Sequence, residues 1–227
     1  MTKTLTLAIC LFPEVTALDY MGPMELFAFI SPPTTASKFI PADMKPAVHF
    51  APTYLYISKE HIPTQSGVRI VPEKTYEEVT EQFDIIMVPG SGVGTRPENC
   101  PPILDEFVRK QAPKAKYVLS VCTGAEVLAR AGVLKGKKAT TNKAAFRRIE
   151  GQTRDLGVTW VAKARWVVDG NVWTSSGVTA GTDMALAFLD HMVGDEIANF
   201  VRGNVELSLH KQDDDEFATF WGLVPKN

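Results

Sequence analysis

The stretch of sequence that decides the fold is Tyr117-Val118-Leu119-Ser120-Val121-Cys122-Thr123-Gly124-Ala125-Glu126-Val127-Leu128-Ala129. Its first half is a short apolar run rich in β-branched residues, which predicts a buried strand. Its second half, from Gly124 to Ala131, carries Ala, Glu and Leu at helical spacing and ends before a glycine. Only a sharp turn fits between the two halves, and Cys122 lies at its apex. This layout is typical of a nucleophile elbow, in which a strained turn holds a reactive side chain.

The position of Cys122 makes its thiol a candidate nucleophile. A thiol at a helix N-terminus faces unpaired N–H groups and the positive end of the helix dipole, and both favour the thiolate. We therefore expect the pKa of Cys122 to lie well below that of a free thiol. The alternative is a small buried hydrophobic residue, which is the role we expect for Cys10 and Cys100.

Composition limits the class of protein. A chain of 227 residues is long enough for one large α/β domain, which we expect to span residues 1–227. The net charge of −2, without a dense basic block, argues against nucleic-acid binding. The three cysteines and four histidines show no metal-ligand spacing, so we expect no metal site. No apolar run reaches membrane-spanning length and the start does not resemble a signal peptide, which favours a cytoplasmic protein.

Working outward from the elbow, strands alternate with helices. Upstream, the pattern predicts strands over 5–11, 49–57, 68–71 and 83–88, and helices over 76–82 and 102–111. A further helix is predicted in the second part of 18–29, with Pro23 in its first turn. Downstream, it predicts a strand over 138–141, a hairpin over 166–173, and helices over 143–150, 182–192 and 195–210. Alternation of this kind predicts a doubly wound, mostly parallel sheet with helices on both faces.

Two segments do not fit the alternation. Residues 31–46 are rich in proline and lack periodicity, which predicts a loop that is longer than most within compact domains. Such a loop is either a lid or interface piece, or plain surface decoration. Residues 211–227 form an acidic C-terminal tail, which we expect to be mobile at its end.

A glycine-rich loop follows the strand predicted over 83–88. Its spacing, Gly-x-Gly-x-Gly, fits a dinucleotide-binding fingerprint poorly. In a parallel sheet this loop and the elbow lie together at the carboxyl ends of the strands. The backbone N–H groups of Gly90 or Ser91, beside that of Thr123, are therefore candidate oxyanion donors.

Asp19 follows the first strand and belongs to the same layer of strand ends. A carboxyl group beside a thiol forms a coupled pair that does not readily carry two negative charges. One shared proton would give a thiolate nucleophile and a carboxylic acid donor. Taken alone, Asp19 is as well explained as the N-cap of the following helix. Glu25 is the rival carboxylate, with an outward salt bridge or a supporting role.

These motifs together resemble the DJ-1/PfpI (ThiJ) superfamily, from the first strand to the long helix near residue 193. The motifs that carry the resemblance are Asp19-Tyr20-Met21-Gly22-Pro23, Val88-Pro89-Gly90, Cys122-Thr123-Gly124, Thr140-Thr141 and Ser176-Gly177-Val178-Thr179-Ala180-Gly181-Thr182-Asp183. Asp-x-x-Gly-Pro followed by Cys-Thr-Gly resembles the isonitrile hydratase branch.

The resemblance implies a flavodoxin-like α/β sandwich, a homodimer, and a small-molecule substrate with no cofactor. It implies Cys122 as the nucleophile, Asp19 as the acid/base and Thr123 as an oxyanion contact. The residues expected to support them are Glu25, Gly22, Thr179 and Gly181. The chain departs from relatives in three places: Thr123 stands where many carry His, Ser91 where a second Gly is usual, and Asn142 where many carry His.

The resemblance also implies an activity, the hydration of an isonitrile to an N-substituted formamide through a covalent thioimidate. Two alternatives remain open. One is a glyoxalase- or deglycase-like activity on α-oxoaldehydes, and the other is a redox sensor or chaperone in which Cys122 is oxidised to a sulfinic acid.

Overall fold

The structure is a computed structural model that describes residues 2–225. Its strands are β1 (Lys3–Cys10), β2 (Val48–Tyr56), β3 (Ile62–Pro63), β4 (Arg69–Ile70), β5 (Lys74–Thr75), β6 (Ile85–Val88), β7 (Tyr117–Ser120), β8 (Lys138–Ala139), β9 (Thr159–Trp160), β10 (Trp166–Asp169) and β11 (Val172–Ser175). Its α-helices are α1 (Ala17–Phe27), α2 (Pro102–Gln111), α3 (Gly124–Arg130), α4 (Phe146–Gln152), α5 (Thr179–Val193), α6 (Asp195–Asn204) and α7 (Phe217–Phe220).

A seven-stranded sheet forms the centre of the fold, in the order β10-β11-β7-β6-β1-β2-β5. Every neighbouring pair is parallel except β10 and β11, which form the predicted hairpin. Strands β6 and β7 are in register from Ile85 opposite Tyr117 to Val88 opposite Ser120. The loops after these two strands therefore leave the same edge of the sheet, as expected for a flavodoxin-like α/β fold.

The core lies between this sheet and two groups of helices. Helix α1 packs against α5, and α2 packs against α3. All four residues of β6 are buried, which matches its continuous apolar sequence. The rings of Phe27, Phe50 and Phe188 pack together, with centroids 5.1–6.2 Å apart, and join α1 and α5 to β2.

The prediction of a helix over 76–82 is wrong, because this segment forms only a turn. The phenol of Tyr76 is buried and donates a hydrogen bond to the carbonyl of Leu11. The Glu78 carboxylate accepts the backbone N–H of Thr75 at 2.8 Å and also pairs with Lys59 at 2.6 Å. Seven residues are too few for a stable helix without tertiary support, and here the tertiary contacts favour the turn.

Several predicted boundaries also move. The predicted strand 138–141 is reduced to β8, which pairs with β9 outside the main sheet. Helix α4 begins at Phe146, because the buried Lys143 ammonium bonds to Thr140 and holds the preceding residues in a turn. Helix α5 begins at Thr179, three residues before its predicted start, and α6 ends at Asn204, shortly before Glu206 turns the chain with φ of 51°.

The two irregular segments both pack against the rest of the chain. Within 31–46, Ala36, Ile40 and Met44 are partly buried against the core. In the tail, Asp215 is buried and pairs with Lys143 at 3.2 Å. The tail is therefore anchored ahead of α7, and its last two positions, 226 and 227, lie outside the described residues.

Candidate active site

The turn between β7 and α3 is a strained elbow, as the sequence predicts. Cys122 has φ of 58°, in the left-handed region that non-glycine residues rarely adopt. Its N–H donates to the carbonyl of Ser176 at 3.1 Å, and its own carbonyl accepts the hydroxyl of Thr141 at 2.9 Å. Strain of this kind costs about 1–3 kcal/mol and persists only where the surroundings enforce it. Hydrogen bonds on both sides of Cys122 provide that enforcement.

Glycine is required where the neighbouring loop meets the elbow. A Cβ atom at Gly90 would lie 2.6 Å from the Thr123 nitrogen and 2.8 Å from the Cys122 Cβ. Real Cβ atoms do not approach other atoms so closely. The loop after β6 therefore contacts the elbow directly because residue 90 has no side chain.

The Cys122 thiol is only 5% exposed. Burial raises the pKa of Cys122 to about 12, and the negative charge of Asp19 contributes to the rise. The N–H of Thr123, the side chain of Asn142 and the N–H of Val178 lower this pKa but do not outweigh burial. The expectation that the helix terminus holds the Cys122 pKa below that of a free thiol is therefore wrong.

The Asp19 carboxyl group lies beside this thiol and is fully buried. Its Oδ2 accepts the N–H of Gly90 at 2.9 Å. Burial raises the pKa of Asp19 to about 7, while the donors Gly90 N–H and Cys122 S–H partly oppose the rise. Thr16 occupies the N-cap position of α1. The N-cap interpretation of Asp19 is thus wrong, because its side chain points to the elbow instead.

These two pKa values describe one coupled pair. At pH values between about 7 and about 12, the pair carries one negative charge, located mainly on Asp19, and Cys122 remains a thiol. A neutral thiol is a weak nucleophile, so any reaction at Cys122 requires transfer of its proton to Asp19.

The two predicted oxyanion donors of the glycine-rich loop are already occupied. The Gly90 N–H donates to Asp19, as described above, and the Ser91 N–H donates to Thr123 Oγ1 at 2.9 Å. The Thr123 hydroxyl in turn donates to the Ser91 carbonyl at 2.7 Å. Neither N–H is free in this arrangement, so an oxyanion role of Gly90 and Ser91 stays a prediction, whereas the Thr123 N–H is directed at the Cys122 sulfur.

The predicted supporting residues differ in their locations. Gly22 packs α1 against the Thr182 hydroxyl of α5. Gly181 packs against Val121, since a Cβ there would lie 2.5 Å from Val121 Cγ1. Thr179 is exposed at the start of α5, and Glu25 is exposed on α1. The two glycines thus bring α1 and α5 close to the elbow, while the other two side chains face away from the core.

Cys122 opens into a cavity of about 410 Å³ at the carboxyl ends of β6 and β7. Its lining includes Arg96, Asn142, Arg148 and Val178, none of which was predicted as a site residue. In the sequence, Asn142 stood out only as a departure from the histidine expected at that position. Arg96 follows the glycine-rich loop, and Arg148 follows the Thr140-Thr141 pair. No described residue of 31–46 lines this cavity, so the lid interpretation of that segment is not supported.

No group of three or more His, Cys, Asp or Glu side chains among residues 2–225 is placed to hold a metal ion. None of the helices in this part of the chain is long and apolar enough to cross a membrane.

Comparison with known proteins places this arrangement in a family. A model of the DJ-1/PfpI family matches residues 6–191, which include both Asp19 and Cys122. The chain belongs to the DJ-1/PfpI family.

Among the relatives with curated names, the isonitrile hydratase of Pseudomonas putida is 36% identical over 203 residues, which cover 89% of this chain and 78% of the relative. A deglycase of Pyrococcus horikoshii is 36% identical over 124 residues, 52% of this chain and 68% of the deglycase. Among solved structures, a ThiJ/PfpI family protein from Pseudomonas syringae has a TM-score of 0.74 at 24% identity and covers 92% of this chain and 78% of its own. The DJ-1/PfpI family therefore includes enzymes, and the fold of this chain is that of the family.

Proposed function

We propose that this DJ-1/PfpI protein is an isonitrile hydratase, which adds water to R–N≡C and releases the formamide R–NH–CHO. The observation that carries the proposal is the fully buried Asp19 carboxyl group beside the buried Cys122 thiol, and the Asp19 pKa of about 7 suits an acid/base group at neutral pH. The relative with the matching name, which covers 89% of the chain, supports this choice.

In the first stage, Asp19 takes the S–H proton while the sulfur bonds to the terminal isonitrile carbon. Asp19 then delivers the same proton to that carbon, which gives the thioimidate R–N=CH–S–Cys122 and restores the carboxylate. The N–H groups of Thr123 and Val178 and the Asn142 side chain stabilise negative charge on the sulfur as its proton leaves.

In the second stage, a water molecule attacks the thioimidate carbon while Asp19 accepts one of its protons and passes it to the nitrogen. The resulting R–NH–CH(OH)–S adduct then loses the sulfur as the C–S bond breaks. The hydroxyl proton returns through Asp19 to the sulfur, so the products are the formamide and the original thiol. Atoms and charge balance over both stages, and one carboxyl group handles every proton.

The test is turnover of cyclohexyl isonitrile, followed by chromatography of N-cyclohexylformamide. Cys122→Ala is expected to abolish turnover, and Asp19→Asn to lower kcat roughly a hundredfold or more. Cys100→Ser, which removes a different buried thiol, is the matched control and is expected to keep the wild-type rate. Rapid quenching followed by mass spectrometry should detect the thioimidate on Cys122. Wild-type turnover in Asp19→Asn contradicts the mechanism, and no turnover by the wild-type protein contradicts the function.

The deglycase-like alternative is supported by the relative from Pyrococcus horikoshii. It uses the same thiol on a carbonyl carbon, and incubation with methylglyoxal distinguishes it from isonitrile hydration. The redox-sensor alternative is disfavoured by the high pKa of Cys122, because peroxide oxidises thiolates far faster than thiols.

We also propose that the chain forms a single domain, assembles as a homodimer and works in the cytoplasm on a small molecule without a cofactor. Light scattering of the purified protein tests the dimer, and turnover after dialysis against a chelator tests independence from metals.

A further inference from the structure

The cavity beside Cys122 contains two arginines with different electrostatic surroundings. Arg148 is neutralised, because its Nη atoms lie 2.7 and 3.0 Å from the two carboxylate oxygens of the buried Glu126. Arg96 has no ion-pair partner within the described residues 2–225. Its Nε atom is buried and has no hydrogen-bond acceptor. Arg96 is therefore the cation of this cavity whose charge no carboxylate offsets.

The backbone holds Arg96 firmly in the cavity wall. Its N–H donates to the carbonyl of Val93 at 3.1 Å, and its carbonyl accepts the N–H groups of Asn99 and Cys100 at 2.9 and 2.8 Å. Pro97 follows and restricts the chain further. These contacts fix the backbone from which the Arg96 side chain extends, and so keep that side chain in the lining of the cavity.

A buried N–H donor without an acceptor carries a free-energy cost that a suitable ligand removes. The guanidinium group is planar and presents paired donors that match the two oxygens of a carboxylate. The Asp19 carboxylate does not line this cavity and instead accepts the N–H of Gly90, so it does not offset the charge of Arg96. The unmatched positive charge thus favours a substrate that brings its own carboxylate.

We propose that Arg96 binds the carboxylate of the substrate, and that the substrate is an isocyano carboxylate whose isonitrile carbon reaches Cys122. The product is then an N-formyl amino acid. This inference rests on the proposed hydratase function and names its substrate class. Arg96 is a specificity residue in this scheme, since it contacts the part of the substrate that does not react.

The test compares isocyanoacetate, which is an anion, with its neutral methyl ester. The wild-type protein is expected to favour the anion in kcat/KM by roughly tenfold to a hundredfold, the scale of one charge-assisted hydrogen-bonded pair. Arg96→Met should lose this preference, mainly through a higher KM for the anion, and any turnover of the ester reports that the variant is folded. Arg96→Lys should keep part of the preference. Arg147→Gln, which removes an exposed positive charge next to Arg148 on α4, is the matched control and should keep the preference for the anion.

The outcomes separate the two proposals. Equal kcat/KM values for the anion and ester in the wild-type protein overturn the role of Arg96 while the hydratase function stands. An unchanged preference in Arg96→Met overturns it as well, and turnover of the ester shows that the variant is folded.

If neither compound is turned over, the hydratase function fails, and binding of N-formylglycine to Cys122→Ala is then measured by calorimetry. Binding that weakens at least tenfold in Cys122→Ala/Arg96→Met supports the carboxylate site, and equal binding in both proteins overturns it.

Discussion

The buried carboxyl group of Asp19 makes a quantitative prediction for stability. Its pKa rises from 3.8 to about 7 on folding, mainly because burial penalises the charged form. Between these two pH values the folded protein keeps a proton that the unfolded chain has lost. Stability therefore falls as the pH rises through this window. A shift of about three units corresponds to a loss of about 4 kcal/mol in stability, which is complete above pH 7 and does not occur below pH 4.

The variant Asp19→Asn removes the charge and keeps an oxygen that can accept the Gly90 N–H. Asp19 Oδ1 has no hydrogen-bond partner in the described residues, so an amide group at its place gains no acceptor there, but this cost is the same at every pH. The decisive quantity is thus the change with pH. Relative to the wild-type protein, we expect the variant to gain about 4 kcal/mol in the free energy of unfolding between pH 4 and pH 8.

Urea unfolding at unit intervals from pH 4 to pH 8 measures this quantity for both proteins. Asp190→Asn, which removes an exposed carboxylate from α5, is the control and should follow the wild-type curve. A difference between Asp19→Asn and the wild-type protein that stays constant within about 1 kcal/mol over this range would refute the reasoning. It would mean that Asp19 is not held in a desolvated site, and the shared proton would lose its basis.

Two further predictions concern the elbow. Alkylation of Cys122 by iodoacetamide, followed by mass spectrometry, should still accelerate between pH 8 and pH 10. Asp19→Asn should shift that rise to lower pH, because the Asp19 charge contributes to the high pKa of Cys122. A rate that stops rising below pH 8 in the wild-type protein would contradict the high pKa. Gly181→Ala should destabilise the protein by about 1–3 kcal/mol and lower its turnover, because the added Cβ clashes with Val121. Gly203→Ala, whose Cβ meets nothing within 4 Å, is the control and should leave turnover unchanged. Equal effects of the two substitutions would argue against close packing at the elbow.

The sequence predicts those parts of the fold that depend on local pattern. Buried strands such as β6 and β7 are continuous apolar runs, and the elbow between β7 and α3 follows from a strand signal that meets a helix signal around Cys122. The segment 76–82 shows the limit of this approach. Its composition favours a helix, but the contacts of Tyr76 and Glu78 with distant residues favour a turn.

The chemistry of the site is less accessible from sequence, because it depends on burial and on contacts between remote positions. A helix N-terminus is one local effect that lowers the pKa of Cys122. In the folded chain this effect is outweighed, because the sulfur is buried and Asp19 lies beside it. The hydrogen bond from Gly90 to Asp19 joins residues 71 positions apart. The role proposed for Arg96 likewise depends on two features of the folded chain: its buried Nε has no acceptor, and Arg148 is paired with Glu126.

A protonated thiol is well suited to the proposed reaction. The terminal carbon of an isonitrile must gain both a bond to sulfur and a proton, so a preformed thiolate without an acid would supply only half of what the step needs. The Cys122–Asp19 pair holds both in one place, since the proton that leaves the sulfur is the one that the carbon receives. Residue 123, next to the nucleophile, is a threonine, so no imidazole is placed there to take this role. On the proposed function, the high pKa of Cys122 thus keeps the proton available and, at the same time, protects the sulfur from oxidation between turnovers.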